Sequence, residues 1–515
     1  VDLRPAPQVR RIGGWVPAAE RAPSLQGPRR FRFLNETHDL AETGWDDPGL
    51  ARLWRYNLHY FDDLTALGAA DRAAWHDALI TEWVRENPPA AGTGWEPYPT
   101  SLRIVNWIKR AWQGRALSAA ATHSLAVQVR WLSRRLELHL LGNHLFANAK
   151  ALVFAGLFFE GAEADAWLRR GRRILADQLP QQILPDGGQF ERSPMYHALA
   201  LEDVLDLCNA AGAGAAFLRP DADAVVAAWR AAIAPMRQWL LAMCHPDGEI
   251  GHFNDAAIGI APPPAALEAY ARRLGFPDQH LTAPVTLLRD SGYVRVAQDD
   301  SVALLDVGPV GPDHLPGHAH ADTLSFELSI AGQRVLVNSG TSVYDAGVER
   351  VRQRGTAAHN TVVVDGENSS EVWSAFRVAR RARPMWLEVS SGPPVVIRCA
   401  HDGYRRLPGR PVHAREWLFG PGSLTVVDRL EGVFRQAQAR FHLHPDVAVS
   451  ATSDTEADVV LPGGRTVRVS VQGGAVRLEQ ATWRPEFGRS VPNQCLVVEM
   501  AGSWLRSEFR WDAPA

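Results

Sequence analysis

The apolar periodicity of the chain changes once along its length, and that change limits the folds open to it. Across residues 50–274, apolar residues recur at helical spacing, as in residues 53–67, 73–86, 101–113, 124–140, 143–159 and 222–243. After residue 282 the period becomes two. Leu324, Phe326, Leu328 and Ile330 alternate with Ser325, Glu327 and Ser329. Similar runs follow to residue 511, separated by turn signals such as Asp365-Gly366, Pro421-Gly422 and Gly473-Gly474. Strands without helices between them imply an antiparallel sandwich rather than a parallel sheet. At 515 residues the chain exceeds one compact core. The reading is therefore an α+β multidomain chain: an irregular segment at 1–45, a helical domain at 46–282 and an antiparallel β domain at 283–515.

Composition excludes several function classes. A net charge of −3 gives no reason to invoke nucleic acid. No apolar run is long enough to span a bilayer. Residues 1–11 lack the apolar core of a signal peptide, but Val1 is no initiator Met, so export stays open. Basic residues are nearly all Arg, with Lys109 and Lys150 the only lysines. Guanidinium forks suit carboxylate or sulfate groups, yet no Lys-rich cluster marks a sulfate site. Cys208, Cys244, Cys399 and Cys495 show no metal or redox spacing and read as buried thiols. Most of the 18 tryptophans read as core, with a few exposed ones suited to sugar faces.

Chemistry-bearing residues concentrate between Gly317 and Asn360. If the strand through Phe326 extends back to Gly317, His318 and His320 point the same way. With His359 from a later segment they suggest a metal or proton-transfer site. A second cluster runs from Gly188 through His197 (GQFERSPMYH) and holds Arg192 and Tyr196. Asn143-His144 with Asn148 opens a helix, where neighbouring residues diverge by about 100°, so one of Asn143 and His144 is expected to face the core. Trp95, Arg103 and Asn106 bring aromatic, guanidinium and amide groups to another helix start. His245 to Glu249, with His252, Asn254 and Asp255, forms a polar turn that either lines a cleft or caps helices.

Taken together, GHAHAD at 317–322, TAAHNT at 356–361, VDG at 364–366, NH at 143–144 and the segment 188–197 resemble the heparinase II/III-like polysaccharide lyases, a superfamily that includes alginate and oligoalginate lyases. The resemblance covers residue 45 to the C-terminus. It implies an incomplete (α/α) toroid followed by an antiparallel β-sandwich, and cleavage of a uronic-acid polysaccharide by β-elimination. It implies Tyr196 as acid, and on one stereochemical course also as base, His318 as the β-domain histidine, Asn143 as neutraliser of the uronate carboxylate, and His144 as a base or a second neutraliser. Trp95, Arg103, Asn106, Arg192 and Arg354 would contact substrate. His320, Asn338 and His359 would hold a structural zinc, with Asn338 standing where several members have Asp, which weakens the site. The expected partner is an anionic polysaccharide, met in the periplasm or outside the cell. Two other readings compete: a metal-dependent hydrolase built on His318, His320 and Asp322, and a non-catalytic polysaccharide-binding protein on the same scaffold.

Overall fold

The computed structural model describes residues 1–218 and 223–512; the expected helix start at Ala222 and the last three residues of the expected β domain lie outside them. The chain forms two compact units. Unit 1 comprises Val1–Ile183, Ala198–Arg237 and Ala261–Gln279; unit 2 comprises Leu184–His197, Gln238–Ile260 and His280–Ala515. Two segments of the helical stretch thus belong with the strands, which a single boundary after residue 282 does not convey.

Unit 1 is helical; Arg52–Tyr60, Ala73–Glu86, Pro97–Trp112, Ala119–Ser133, Gly142–Phe158, Ala162–Gln182 and Pro264–Arg273 are its longer complete helices, beside the single turn Leu40–Thr43. Pro97 opens its helix, where a missing N–H costs nothing. Ser118 caps the next by accepting from the Ala121 N–H at 3.2 Å. Gly142–Phe158 is buried along its whole length from Leu145 onward, as its all-round apolar sequence requires. It packs closely on Ala162–Gln182 because glycines sit at the crossing. A Cβ on Gly171 would lie 2.6 Å from the Ala149 carbonyl oxygen, and one on Gly156 would lie 2.6 Å from Leu168 Cβ.

The segment expected to be irregular contains a hairpin, Arg30–Phe33 paired with Glu36–Asp39. Leu34 and Asn35 take φ of 54° and 62° at its two-residue turn, which matches the twist of the strands. Both lysines are buried in unit 1 on one carboxylate. Lys109 Nζ lies 2.5 Å and Lys150 Nζ 2.6 Å from Asp206 Oδ2, and Tyr270 donates to Oδ1 at 3.0 Å.

Unit 2 carries antiparallel sheets. A five-stranded meander runs Val285–Leu288, Tyr293–Gln298, Ser301–Asp306, Phe326–Ile330 and Gln333–Leu336 in chain order. An eight-stranded sheet centres on Val412–Gly420, Ser423–Glu431 and Trp504–Trp511, and a four-stranded sheet on Val491–Met500 and Ala437–His442. One apolar core joins the three. Phe326 of the meander meets Trp417 of the large sheet edge-on at 6.2 Å and Phe441 of the four-stranded sheet at 6.3 Å. All four cysteines are buried free thiols.

The strand at Phe326 does not extend back to the histidines. Residues 317–325 run as turns and loop, and Leu324 has φ 64°. His318 and His320 therefore do not owe their common orientation to strand alternation.

Candidate active site

Asp255 organises the site in unit 2. It lies in an irregular stretch next to Asn254, which has φ 55°. Its backbone is fixed from two sides: its N–H donates to the His318 carbonyl at 3.0 Å, and its carbonyl accepts from Ser193 Oγ at 2.6 Å. Its carboxylate accepts from His318 Nδ1 (2.8 Å, at Oδ2) and from His320 Nε2 (2.8 Å, at Oδ1). Arg350 grips both oxygens, with Nη2 to Oδ2 at 2.6 Å. The group is fully buried. Burial opposes its charge, but Arg350, His318 and His320 together hold the carboxyl well below the usual range.

An ionised carboxylate can only accept, so it fixes both imidazole tautomers. His318 donates from Nδ1 and directs Nε2 the other way; Glu191 Oε2 is 3.7 Å from that nitrogen. His320 donates from Nε2 and keeps a lone pair on Nδ1. The Tyr196 ring lies on the His318 ring, centroids 4.2 Å apart. Its phenol is 2.9 Å from that of Tyr344. Burial first, then Tyr344 and Glu191, push the Tyr196 phenol well above its ordinary value, so it carries its proton at neutral pH. Ser193 ties Tyr196 to Asp255, because its hydroxyl also accepts from the Tyr196 N–H at 3.2 Å.

His320 and His359 suit a metal. One ligand atom from each of His320, Asp322 and His359 lies within 4.8 Å of the others, all buried. His320 Nδ1 and His359 Nε2 are 3.3 Å apart. Tetrahedral zinc with Zn–N bonds of about 2.0–2.1 Å sets two nitrogens roughly 3.3–3.4 Å apart. Burial lowers His320 to about 4 and holds His359 well below its ordinary value, leaving both neutral. The Asp255 contact gives His320 the carboxylate partner that metal-bound histidines use. The carboxylate here is Asp322. Asn338, expected as third ligand, accepts from the Asn360 N–H at 3.2 Å with its amide oxygen. His318 and His320 each turn a ring N–H to a different oxygen of Asp255.

In unit 1, Asn143 and His144 are both half-buried, so neither faces the core. Both lie in the first turn of Gly142–Phe158, whose core-facing burial begins at Leu145. The Asn143 amide faces the Tyr98 phenol and favours its ionised form. His144 Nδ1 is 2.9 Å from Glu137 Oε1, and its ring lies on Tyr98 with centroids 4.4 Å apart. Asn148 braces Glu137, donating to Oε2 at 3.0 Å.

Four expected substrate contacts are structural instead. Arg103 is fully buried, donating to Gln128 Oε1 at 2.9 Å and the Gly94 carbonyl at 2.8 Å while lying over the Trp83 ring. Trp95 is buried and donates to the Asn87 carbonyl at 3.1 Å. Asn106 donates to the Tyr60 carbonyl at 2.9 Å and Asp62 Oδ1 at 2.7 Å. Arg354 is buried and holds the Ala319 and Ala375 carbonyls, each at 3.1 Å. Backbone carbonyls take up these donors, a use that residue type does not reveal. Arg192 is half-buried and donates to the Ser291 carbonyl at 3.1 Å. Tyr344 and Arg350 escaped the sequence reading; the signal available was their position between GHAHAD and TAAHNT.

Two family models cover most of the chain: heparinase II/III N-terminus over residues 70–275, and heparinase II/III-like, C-terminal, over residues 280–512. The chain belongs to the heparinase II/III-like family of polysaccharide lyases. It is 27% identical over 475 residues to FtsZ-localized protein C of Caulobacter vibrioides, covering 85% of this chain and 77% of that protein. It is 23% identical over 397 residues to a heparin-sulfate lyase of Bacteroides stercoris, covering 66% of this chain and 58% of that one. A crystal structure of heparinase III superposes with a TM-score of 0.69 at 17% identity, over 92% of this chain and 78% of the other. That likeness gives the fold as an incomplete (α/α) toroid followed by an antiparallel β-sandwich. Among the described residues no helix is long and apolar enough to cross a membrane.

Proposed function

We propose that this lyase cleaves a uronic-acid-containing polysaccharide by β-elimination. The C5–H bond breaks to a base, a C4=C5 double bond forms, and the C4–O4 bond breaks as O4 takes a proton. Tyr196, protonated and against His318, is the acid at O4. His318, its Nε2 freed by the Nδ1 bond to Asp255, is the base at C5, and Asp255 stabilises the imidazolium that results. Arg350 keeps Asp255 ionised. Asn143 or His144 would neutralise the uronate carboxylate, which lowers the cost of charge developing beside C5. A zinc ion held by His320, Asp322 and His359 would supply structural charge compensation and order the loop that carries His318. A polymer of this kind is met outside the cytoplasm, so a periplasmic or secreted location fits. The observation that carries the reading is the Tyr196–His318–Asp255–Arg350 chain, and the heparin-sulfate lyase relatives support it.

The test is a panel of uronate polymers assayed for the ultraviolet absorbance of an unsaturated uronate, with mass spectrometry of the products. New reducing ends without that absorbance would mean hydrolysis. A panel with retention of polymer but no cleavage would instead favour a non-catalytic scaffold that holds polymer without shortening it.

A further inference from the structure

Beside His318 stands a small hairpin, Glu371–Trp373 paired with Arg377–Ala379, that no expectation from the sequence included. Its tip rests on the site. Phe376, 43% exposed, meets the His318 ring edge-on at 5.5 Å and the Tyr344 ring at 5.4 Å. A Cβ on Gly317 would lie 3.4 Å from Phe376 Cβ. Two buried guanidinium groups pin the tip from beneath. Arg350, which holds Asp255, donates from Nε to the Ala375 carbonyl at 2.9 Å. Arg354 donates to the same carbonyl at 3.1 Å and to the Gly317 carbonyl at 3.3 Å. The hairpin is thus fixed to the frame that positions His318.

Its two faces differ in chemistry. Val372 is buried and Val378 packs against a small apolar cluster. Trp373 lies opposite Arg377 in the ladder, so the indole and the guanidinium share the other face. Trp373 is 47% exposed, Arg377 is exposed, and the Arg377 guanidinium has no hydrogen bond or ion pair among the described residues. The carboxylate on that face, Glu371, is paired with Arg380 at 3.3 Å. Arg377, Arg380, Arg381 and Arg383 form a local basic cluster made of arginine alone.

We propose that this hairpin is a substrate subsite: Trp373 stacks on a sugar of the polymer that flanks the cleaved uronate, and Arg377 pairs with a carboxylate or sulfate on that sugar. The inference rests on the lyase reading for the identity of the polymer. An indole face suits the C–H surface of a pyranose, and an unpaired guanidinium suits an oxyanion. Both lie on one hairpin whose tip residue Phe376 touches the proposed catalytic histidine.

The experiment uses the full chain with Trp373→Ala, Arg377→Ala, Trp373→Phe and Arg377→Lys. Each variant is assayed kinetically on the polymer cleaved in the panel, and by retardation in gels containing that polymer. Loss of one aromatic contact or one charged bond of roughly 1.4 kcal/mol corresponds to about tenfold. The alanine variants are expected to raise KM about tenfold with a much smaller effect on kcat, and to lose retardation. Trp373→Phe should recover most of the retardation. Arg377→Ala should also flatten the dependence of KM on salt, which a purely structural role would not do. Unchanged KM and retardation in both alanine variants overturn the proposal. If the parent retains polymer but releases no unsaturated product, the lyase reading fails, and retention by the variants still decides the hairpin. A polymer with and without its sulfates tells which oxyanion Arg377 meets.

Discussion

The Tyr196 ring covers the His318 imidazole with centroids 4.2 Å apart and planes at 37°. The proposed acid and base are therefore in direct ring contact rather than two separate side chains. Tyr196→Phe keeps the ring contact and removes only the transferable proton. We expect kcat to fall by about 10²–10⁴-fold, the usual worth of a general acid, with the thermal midpoint little changed. Product absorbance and a melting curve on the same sample check this. Full turnover in Tyr196→Phe would remove the phenol from the mechanism.

Asp255→Asn leaves the buried Arg350 guanidinium without its counter-charge. Breaking a buried pair on one side costs about 3–5 kcal/mol. The urea midpoint should drop accordingly, and activity should be lost even where the variant remains folded, because His318 loses the acceptor that fixes its tautomer. An unaltered urea midpoint would mean that Asp255 is not the charge partner the geometry makes it.

Purified protein dialysed against zinc and then buffer should retain about one equivalent. Asp322→Ala and His320→Ala should retain none, while Asn338→Ala should retain it, since the Asn338 oxygen serves the Asn360 N–H. Elemental analysis reads the outcome. Metal lost from Asn338→Ala but kept in Asp322→Ala would restore Asn338 to the ligand set.

Stability should fall on mild acidification. Burial lowers His59 in unit 1 to about 3 and His252 in unit 2 to about 4. The unfolded imidazoles take protons below about 6.5 that the folded ones refuse, so the stabilisation is complete above that pH and is lost below it. Each contributes a loss of about 2 kcal/mol between pH 6.5 and 5. Calorimetric melts from pH 7.5 to 5 should show a steadily falling midpoint. A flat profile would mean these imidazoles are charged in the folded state.

Both halves of the fold were readable from periodicity, because burial on one face imposes a period whatever the tertiary detail. The site was readable in its motif-bearing members, while the polar turn that holds Asp255 stood out by residue type without revealing its role. Tyr196 and His318 do meet, and His320 does stand beside His359. Asp255, the group that orients both His318 and His320, lies 63 residues before His318 on a turn with no periodic signal. His318 and His320 do converge, but through that shared carboxylate rather than through a strand. Arg103 and Arg354 misled for a related reason: an arginine that braces backbone carbonyls in the interior has the same letter as one that greets a polymer. Asn143 and His144 diverge on a helical wheel, yet both remain half-exposed because they precede the point where the helix enters the core.

The burial of Lys109 and Lys150 on Asp206 has a practical corollary. Lys109 and Lys150 are 4% and 5% exposed at their side chains. Acylating reagents will not reach either lysine side chain on the folded protein, so labelling at Lys109 and Lys150 reports unfolding rather than surface, and its progress during heating follows the open molecules.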